Sequence, residues 1–177
     1  FHFNPYDDFI HTPVIRAEIR NMLVTNLGHY TVYLPAVAEQ LLLPLLHQLP
    51  EVQWQVFSKH TTEKYRSKNV QVSPVHHQEF NASLASCEGF FTGGGFEGPA
   101  EALFLKKKLL VMPMRFQYEQ QCNAYALKQL GFPVIWGSNK NWLPLLRAWV
   151  STPQSYHFDF PDHTAAVIDD VVSRFAR

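Results

Sequence analysis

The sequence carries no excess charge, few cysteines and no long apolar run. Its 177 residues include 15 Lys and Arg and 15 Asp and Glu, so the formal net charge is zero. Proteins that bind nucleic acid usually carry a basic surface, so we expect no nucleic-acid partner. Cys87 and Cys122 have neither metal-ligand spacing nor a disulfide pattern, which indicates buried thiols in a reducing compartment. No apolar run approaches the roughly 20 residues of a membrane span.

The start of the chain also lacks the marks of a targeting segment. Residues 1–5 have no basic region, and no apolar core of a signal peptide follows them. The chain also lacks an initiator Met. We therefore expect a cytoplasmic fragment of a longer protein. Contact of the full-length protein with the inner face of the membrane stays open as an alternative.

What the chain does have is enough apolar material for one sizeable domain. Hydrophobic residues make up 46% of it. Strand patterns at 29–34, 53–57, 70–75, 89–92, 109–113 and 133–136 alternate with helical patterns at 36–49, 79–87, 99–107, 118–130, 141–150 and 164–175, and 22–25 is a further short strand candidate. This alternation predicts a Rossmann-like three-layer α/β/α sandwich with about six parallel strands. Residues 1–21 are predicted to be a linker from a missing domain, and 22–177 the domain itself.

A glycine-rich stretch is the centre of the functional hypothesis. The apolar run 89–92 is followed by Gly93, Gly94 and Gly95, and then by a helix that carries Glu101. Glycines permit positive φ and remove Cβ atoms, so a partner can approach the backbone closely. The order strand, glycine turn and helix directs free backbone N–H groups at an anion. A structural turn without a ligand remains the alternative, because glycine-rich loops alone are weak signals.

A second polar cluster follows the next predicted strand. Glu119, Gln120 and Asn123 open another predicted helix, and residues 119 and 123 lie one turn apart on one face. In a parallel sheet the two strand-to-helix loops meet at the carboxyl edge, where α/β proteins bind ligands. The alternative is a helix start that is merely polar.

These residues carry a resemblance to a known family. The segment from about Gly89 to Gly131 resembles the C-terminal domain of family 28 glycosyltransferases, the MurG-like donor-binding half of the GT-B superfamily. The matching residues, in order and spacing, are Gly94-Gly95, Glu101-Ala102-Leu103, Leu110 to Pro113, Glu119-Gln120-x-x-Asn123-Ala124 and Leu130-Gly131.

The resemblance implies roles for individual residues. The donor diphosphate would lie on Gly94, Gly95, Phe96 and Gly98, and the ribose hydroxyls on Glu101. The sugar would contact Glu119, Gln120 and Asn123, and a loop at His76 and His77 would frame the nucleotide base. No cofactor and no metal are implied. Adjacent histidines without a Cys or acidic partner do not make a metal site either.

The sequence also departs from the family pattern. Gly98 stands where the family usually has Ser or Thr, and Glu97 places a negative charge at the helix start where phosphate should sit. The loop after the first strand, 34–38, contains no glycine, and Lys106 to Lys108 replace the Gly and Pro between helix and strand. Cations at a helix C-terminus explain that lysine run without a ligand.

The resemblance implies a hexosyltransferase half. It would bind a nucleotide sugar, with UDP as the expected nucleotide, for transfer to an acceptor hydroxyl. The catalytic residues are not identified. They are expected in a missing N-terminal acceptor-binding domain, without which this fragment should be inactive. The alternatives are a degenerate GT-B module acting in protein interaction, and half of a nucleotide-sugar epimerase.

Overall fold

A computed structural model describes residues 2–3, 10–137, 142–154 and 157–176 of the chain. Its centre is a six-stranded sheet in the order β3-β4-β2-β1-β5-β6. The strands are β1 (His29–Tyr33), β2 (Gln53–Ser58), β3 (Tyr65–Ser67), β4 (Val70–Pro74), β5 (Gly89–Thr92) and β6 (Lys108–Val111). All neighbouring pairs are parallel except β3 and β4, which are antiparallel.

Seven helices are found among the described residues. They are α1 (Ala17–Arg20), α2 (Glu39–Leu46), α3 (His77–Ser86), α4 (Glu97–Phe104), α5 (Tyr118–Gln129), α6 (Trp142–Ser151) and α7 (Thr164–Phe175). Pro44 lies inside α2, which continues through it as one helix.

The helices cover the two faces of the sheet and form two separate cores. Successive residues of one strand point to opposite faces, so Phe91 joins the core under α2 and α6. Phe90 joins the core under α3, α4 and α5. Both side chains are fully buried. The predicted three-layer α/β/α sandwich is confirmed.

The prediction of strands was wrong at three places. Residues 22–25 form no strand; instead, the Thr25 N–H donates to the carbonyl of Ala85, at the end of α3. The predicted strand 133–136 is reduced to a single bridge between Val134 and Val111, since Pro133 has no N–H for a ladder. The edge strand β3 was missed because it is polar and mostly exposed, so it lacks the apolar pattern of a buried strand.

The described part of residues 1–21 packs against the domain and is not only a linker. Phe3, Ile15 and Ile19 are all buried in the core that contains α4 and α5. Arg20 donates to the carbonyl of Phe160 at 2.7 Å. The predicted boundary at residue 22 stays a prediction, but the described part of this segment packs as part of the domain.

The prediction of two buried cysteines is only partly correct, and the lysine run after α4 has contacts of its own. Cys87 is buried as expected, and burial raises the pKa of its thiol to about 11, but Cys122 lies exposed on α5. Lys107 and Lys108 are buried, and their ammonium groups donate to the carbonyls of Thr25 and Val150. Two of the three lysines therefore hold backbone carbonyls inside the protein, whereas Lys106 is exposed. Among the described helices, none combines the length and apolarity needed to cross a membrane.

Candidate functional site

The glycine turn lies between β5 and α4 and packs against α5. A Cβ atom on Gly94 would stand 2.5 Å from the backbone carbonyl oxygen of Gln120, closer than real Cβ atoms come. Neither Gly93, Gly94 nor Gly95 has a positive φ. Glycine is therefore required at 94 for close approach of the α5 backbone, and the turn does not use the positive φ that glycine permits.

The side chains of Gln120 and Asn123 hold this turn in place. Gln120 Oε1 accepts the backbone N–H of Gly94 at 3.2 Å and that of Met114 at 3.0 Å. Asn123 Nδ2 donates to the Gly94 carbonyl at 3.1 Å and lies 3.4 Å from Glu119 Oε1. These two amides therefore tie the glycine turn and the loop after β6 to the start of α5.

The N-terminus of α4 offers backbone donors. The helix begins at Glu97, two residues before the predicted start, so Pro99 lies in its first turn. Backbone N–H groups of a first turn have no partner within the helix, so the N–H that proline lacks costs no hydrogen bond there. Within the described part of the chain, no acceptor is found for the backbone N–H groups of Gly95, Phe96 and Gly98. The N–H of Gly94, by contrast, is already used by Gln120.

The carboxylate of Glu101 is engaged by an arginine that the sequence did not indicate. Arg16 Nε donates to Glu101 Oε1 at 2.6 Å, and Nη2 donates to Oε2 at 3.0 Å. The Glu101 side chain is 4% exposed and that of Arg16 is 41% exposed. This bidentate hydrogen bond raises the pKa of the Arg16 guanidinium.

A cleft of about 570 Å³ collects these groups at the carboxyl edge of the sheet. It runs from the ends of β1, β4 and β5 to the first turns of α3, α4 and α5. Its walls include Arg16, Thr92, Glu97, Glu101 and Glu119. An aromatic side is formed by Phe80, whose ring packs 5.6 Å from Tyr33 and 5.8 Å from Phe90, centre to centre.

The cleft brings together most of the predicted site residues. Its lining includes Gly95, Phe96, Gly98, Glu101, Glu119, Gln120 and His77. His76 precedes α3 and does not line the cleft, and Asn123 lines a separate open groove on α5. Gly94 lies behind the cleft, against α5. The ligand roles of these residues stay predictions.

A second cavity, of about 380 Å³, lies on the other side of the glycine turn. It shares Pro35, Gly93 and Gln120 with the cleft and is otherwise largely apolar, with Leu34, Met112 and Trp142 among its walls. Within the described ranges, no group of three or more His, Cys, Asp or Glu side chains is arranged to hold a metal ion.

Sequence reasoning missed Arg16, Thr92 and the aromatic side of the cleft. Arg16 is 85 positions from Glu101 in the chain, and it lies in a stretch whose pattern predicted only a linker. The aromatic side was missed because its residues occupy ordinary apolar positions of a strand or helix, namely Tyr33, Phe80 and Phe90. Their convergence follows from the strand order, which a single sequence does not show.

Comparison with solved structures finds glycosyltransferases with the same fold. The chain is similar to SnogD from Streptomyces nogalater (15% identity, TM-score 0.51), the glycotransferase of kitacinnamycin (20%, 0.55) and the spinosyn forosaminyltransferase SpnP (14%, 0.54). The three matches cover 85%, 81% and 91% of this chain, but only 40%, 41% and 43% of the matched glycosyltransferase chains. The chain thus corresponds to one Rossmann-like half of the GT-B fold.

The comparisons with sequences are more specific. No curated protein matches the chain. A family model described as glycosyl transferase family 1 matches residues 3–145, a range that runs from the buried Phe3 through the glycine turn and into α6. The assignment to family 28 is not confirmed, whereas the broader GT-B assignment is. Since the match spans most of the chain, the protein belongs to glycosyl transferase family 1.

Proposed function

We propose that this chain is the nucleotide-sugar-binding half of a GT-B glycosyltransferase. The transferred group is a hexosyl group carried by UDP, and it passes to an acceptor hydroxyl. The observation that carries the proposal is the 570 Å³ cleft at the carboxyl edge of the parallel sheet. Its lining combines unpartnered backbone N–H groups, Glu119 and an arginine, Arg16, that is hydrogen-bonded to a carboxylate. Ligands of open α/β folds bind at such edges.

The chemistry proposed for this half is binding and charge stabilisation. The backbone N–H groups of Gly95, Phe96 and Gly98 would donate to the diphosphate at the start of α4. The same donors stabilise the charge that develops when the sugar leaves, because helix N-termini favour negative charge. Glu119, which is exposed at the start of α5, would accept hydrogen bonds from sugar hydroxyls.

The roles proposed for Gln120 and Asn123 differ from those of direct sugar ligands. Their amides already bind Gly94 and Met114, so they act on the donor by shaping the glycine turn. The base that activates the acceptor hydroxyl is proposed to come from an acceptor-binding domain N-terminal to this one. The chain spans about two fifths of the solved glycosyltransferases it matches, which leaves room for such a domain.

A second candidate is a GT-B module that no longer binds a donor and acts in protein interaction. Two observations favour it: Glu97 stands at the start of α4, and Glu101 is engaged within the protein. The two candidates differ in a property that can be measured directly, namely saturable binding of a nucleotide.

The test is a titration by ligand-observed NMR with UDP, UDP-GlcNAc, GDP and TDP. Gly95→Leu serves as the blocking variant, because a Cβ at this position meets no atom within 4 Å and its side chain would fill the cleft without disturbing the fold. Ala166→Leu, on the exposed surface of α7, is the matched control. The proposal predicts saturable binding that is lost only in Gly95→Leu. A folded wild type that binds none of the four supports the interaction module instead.

A further inference from the structure

The open groove on α5 differs in chemistry from the cleft at the glycine turn. It has a volume of about 780 Å³ and shares no lining residue with the cleft. The cleft contains three glutamates and an arginine, whereas none of the described residues that line the groove is Asp, Glu, Lys or Arg. We propose that the groove binds a neutral saccharide chain, whose rings stack on Tyr125 and Trp136. This proposal does not rest on the function proposed for the cleft.

Two aromatic rings lie exposed in the groove. Tyr125 is 59% exposed and Trp136 is 43% exposed, and both line it. In the described part of the chain, the Tyr125 hydroxyl and the Trp136 indole N–H have no hydrogen-bond partner. Each side chain therefore offers an apolar ring face and a free polar tip. Such side chains are typical of surfaces that bind a ligand with both apolar and polar parts.

The helix places amide groups on both sides of the tyrosine ring. Gln121, Tyr125 and Gln129 follow one another at intervals of four residues, so they lie in one row along α5. The row is about 12 Å long, at 1.5 Å per residue. Both glutamines are exposed, and no partner for either amide is found among the residues that the structure describes. Beside this row, Cys122 and Ala126 form a surface of small side chains.

A saccharide matches this lining in its own chemistry. One face of a sugar ring presents C–H groups, which the negative face of an aromatic ring attracts. The ring edge presents hydroxyl groups, and an amide can both donate to them and accept from them. A row of about 12 Å is longer than a single sugar ring, which favours a chain of sugars over a monosaccharide.

The electrostatics of the groove disfavour an anionic ligand. Phosphates and carboxylates are bound mainly by Arg, Lys or a helix N-terminus. The groove instead extends to Leu130, the residue that follows α5, and so reaches the C-terminal end of the helix. The helix dipole repels anions at this end. A nucleotide therefore does not suit the groove, and a neutral ligand does.

The test is a titration with three neutral trisaccharides, namely maltotriose, cellotriose and triacetylchitotriose, followed by ligand-observed NMR. We expect saturable binding of at least one of them to the wild type. Tyr125→Ala and Trp136→Ala should each weaken it by roughly tenfold, because each removes one stacking ring. Tyr118→Ala is the matched control, since Tyr118 is also an exposed tyrosine on α5 but does not line the groove. It should bind like the wild type.

The free thiol in the groove gives a second measurement. Cys122 is exposed and lines the groove, whereas Cys87 is buried. Iodoacetamide should therefore alkylate Cys122 first, as mass spectrometry can verify. A bound trisaccharide should slow this alkylation in proportion to occupancy in the wild type. The same trisaccharide concentration should protect Cys122 much less in Trp136→Ala.

Each other outcome contradicts the proposal. Equal trisaccharide binding by the wild type, Tyr125→Ala and Trp136→Ala would place the saccharide elsewhere. A folded wild type that binds none of the three would also overturn the proposal. Competition by UDP would place the saccharide in the cleft. Dimerisation of the wild type in sedimentation, lost in Trp136→Ala, would identify the groove as an interface between copies of the chain. UDP affinity is measured separately, so the proposed function can stand when this proposal fails.

Discussion

The backbone carbonyl oxygen of Gln120 lies 2.5 Å from the position that a Cβ atom on Gly94 would occupy. This approach locks the glycine turn after β5 to the first turn of α5, and so fixes one wall of the candidate cleft. The two neighbouring glycines are less constrained: a Cβ on Gly93 would have its nearest contact at 3.4 Å, and one on Gly95 would meet nothing within 4 Å.

We therefore expect Gly94→Ala and Gly95→Ala to differ sharply. Gly94→Ala should lower the free energy of unfolding by about 1–3 kcal/mol, because either the turn or α5 must move. Gly95→Ala should stay within about 1 kcal/mol of the wild type and can stabilise it through the unfolded state. Urea denaturation measures both. Equal effects of the two substitutions would show that the turn is not held by the contact at Gly94.

The glycine turn after β5 also shows which features could be predicted from the sequence alone and which could not. It predicted the strand, the turn and the helix at the right place, because their patterns are local. It did not reveal that Gly94 serves close packing, since glycine is equally suited to positive φ and to close approach. Nor did it reveal the partner of Glu101, because Arg16 approaches through the tertiary fold. The carboxyl-edge location was predictable from the alternation of strands and helices, but the order of the strands was not.

Removal of the negative charge of Glu97 at the start of α4 should increase the affinity of the protein for UDP. Glu97 is the first residue of the helix, is exposed and lines the cleft. Glu97→Gln removes a repulsion worth about 0.3–1 kcal/mol near a helix N-terminus, so UDP should bind roughly two- to fivefold more tightly. Glu51→Gln, on the exposed turn before β2, changes the net charge equally and is the control. Weaker UDP binding in Glu97→Gln would mean that Glu97 contacts the ligand favourably.

Two helices end in the same way with different residues. In α4 the N–H groups of Lys106 and Lys107 donate to the carbonyls of Leu103 and Ala102, and Lys106 has a φ of 58°. In α5 the corresponding N–H groups of Gly131 and Phe132 donate to the carbonyls of Lys128 and Leu127, and Gly131 has a φ of 90°. Both are Schellman motifs, in which glycine is the favoured residue at the left-handed position.

Lys106→Gly should therefore stabilise the protein by about 0.5–1 kcal/mol, because it relieves a left-handed conformation in a residue with a side chain. Gly131→Ala should destabilise it by about 1 kcal/mol for the opposite reason. Thermal unfolding compares the two directly. A loss of stability in Lys106→Gly would contradict this interpretation and would assign the Lys106 side chain a contact of its own.

Burial of His29 predicts a dependence of stability on pH. Its Nε2 lies 3.2 Å from the carbonyl oxygen of Ser83, so the neutral ring donates there. Burial lowers the pKa of His29, and the charge of Lys107 lowers it further, while the bond to Ser83 opposes both. The unfolded chain then takes up a proton near pH 6.5 that the folded protein does not.

Stability should accordingly be complete above pH 6.5 and fall as the pH drops below it, by at most about 1.4 kcal/mol per pH unit. His29→Gln keeps a donor for Ser83 but cannot titrate, so its stability should fall less between pH 6.5 and 5.5. Urea denaturation at intervals across this range measures the difference. Parallel curves for the two proteins would show that His29 does not cause the loss.

The most direct measurement of the central claim is a ¹H–¹⁵N correlation spectrum of the chain during titration with UDP. We predict saturable shifts concentrated on the backbone amides of Gly95, Phe96 and Gly98. Amides at the opposite edge of the sheet, such as that of Gly28, should not shift. Absence of shifts at the start of α4, or shifts confined to another surface, would contradict the assignment of this cleft as the donor site.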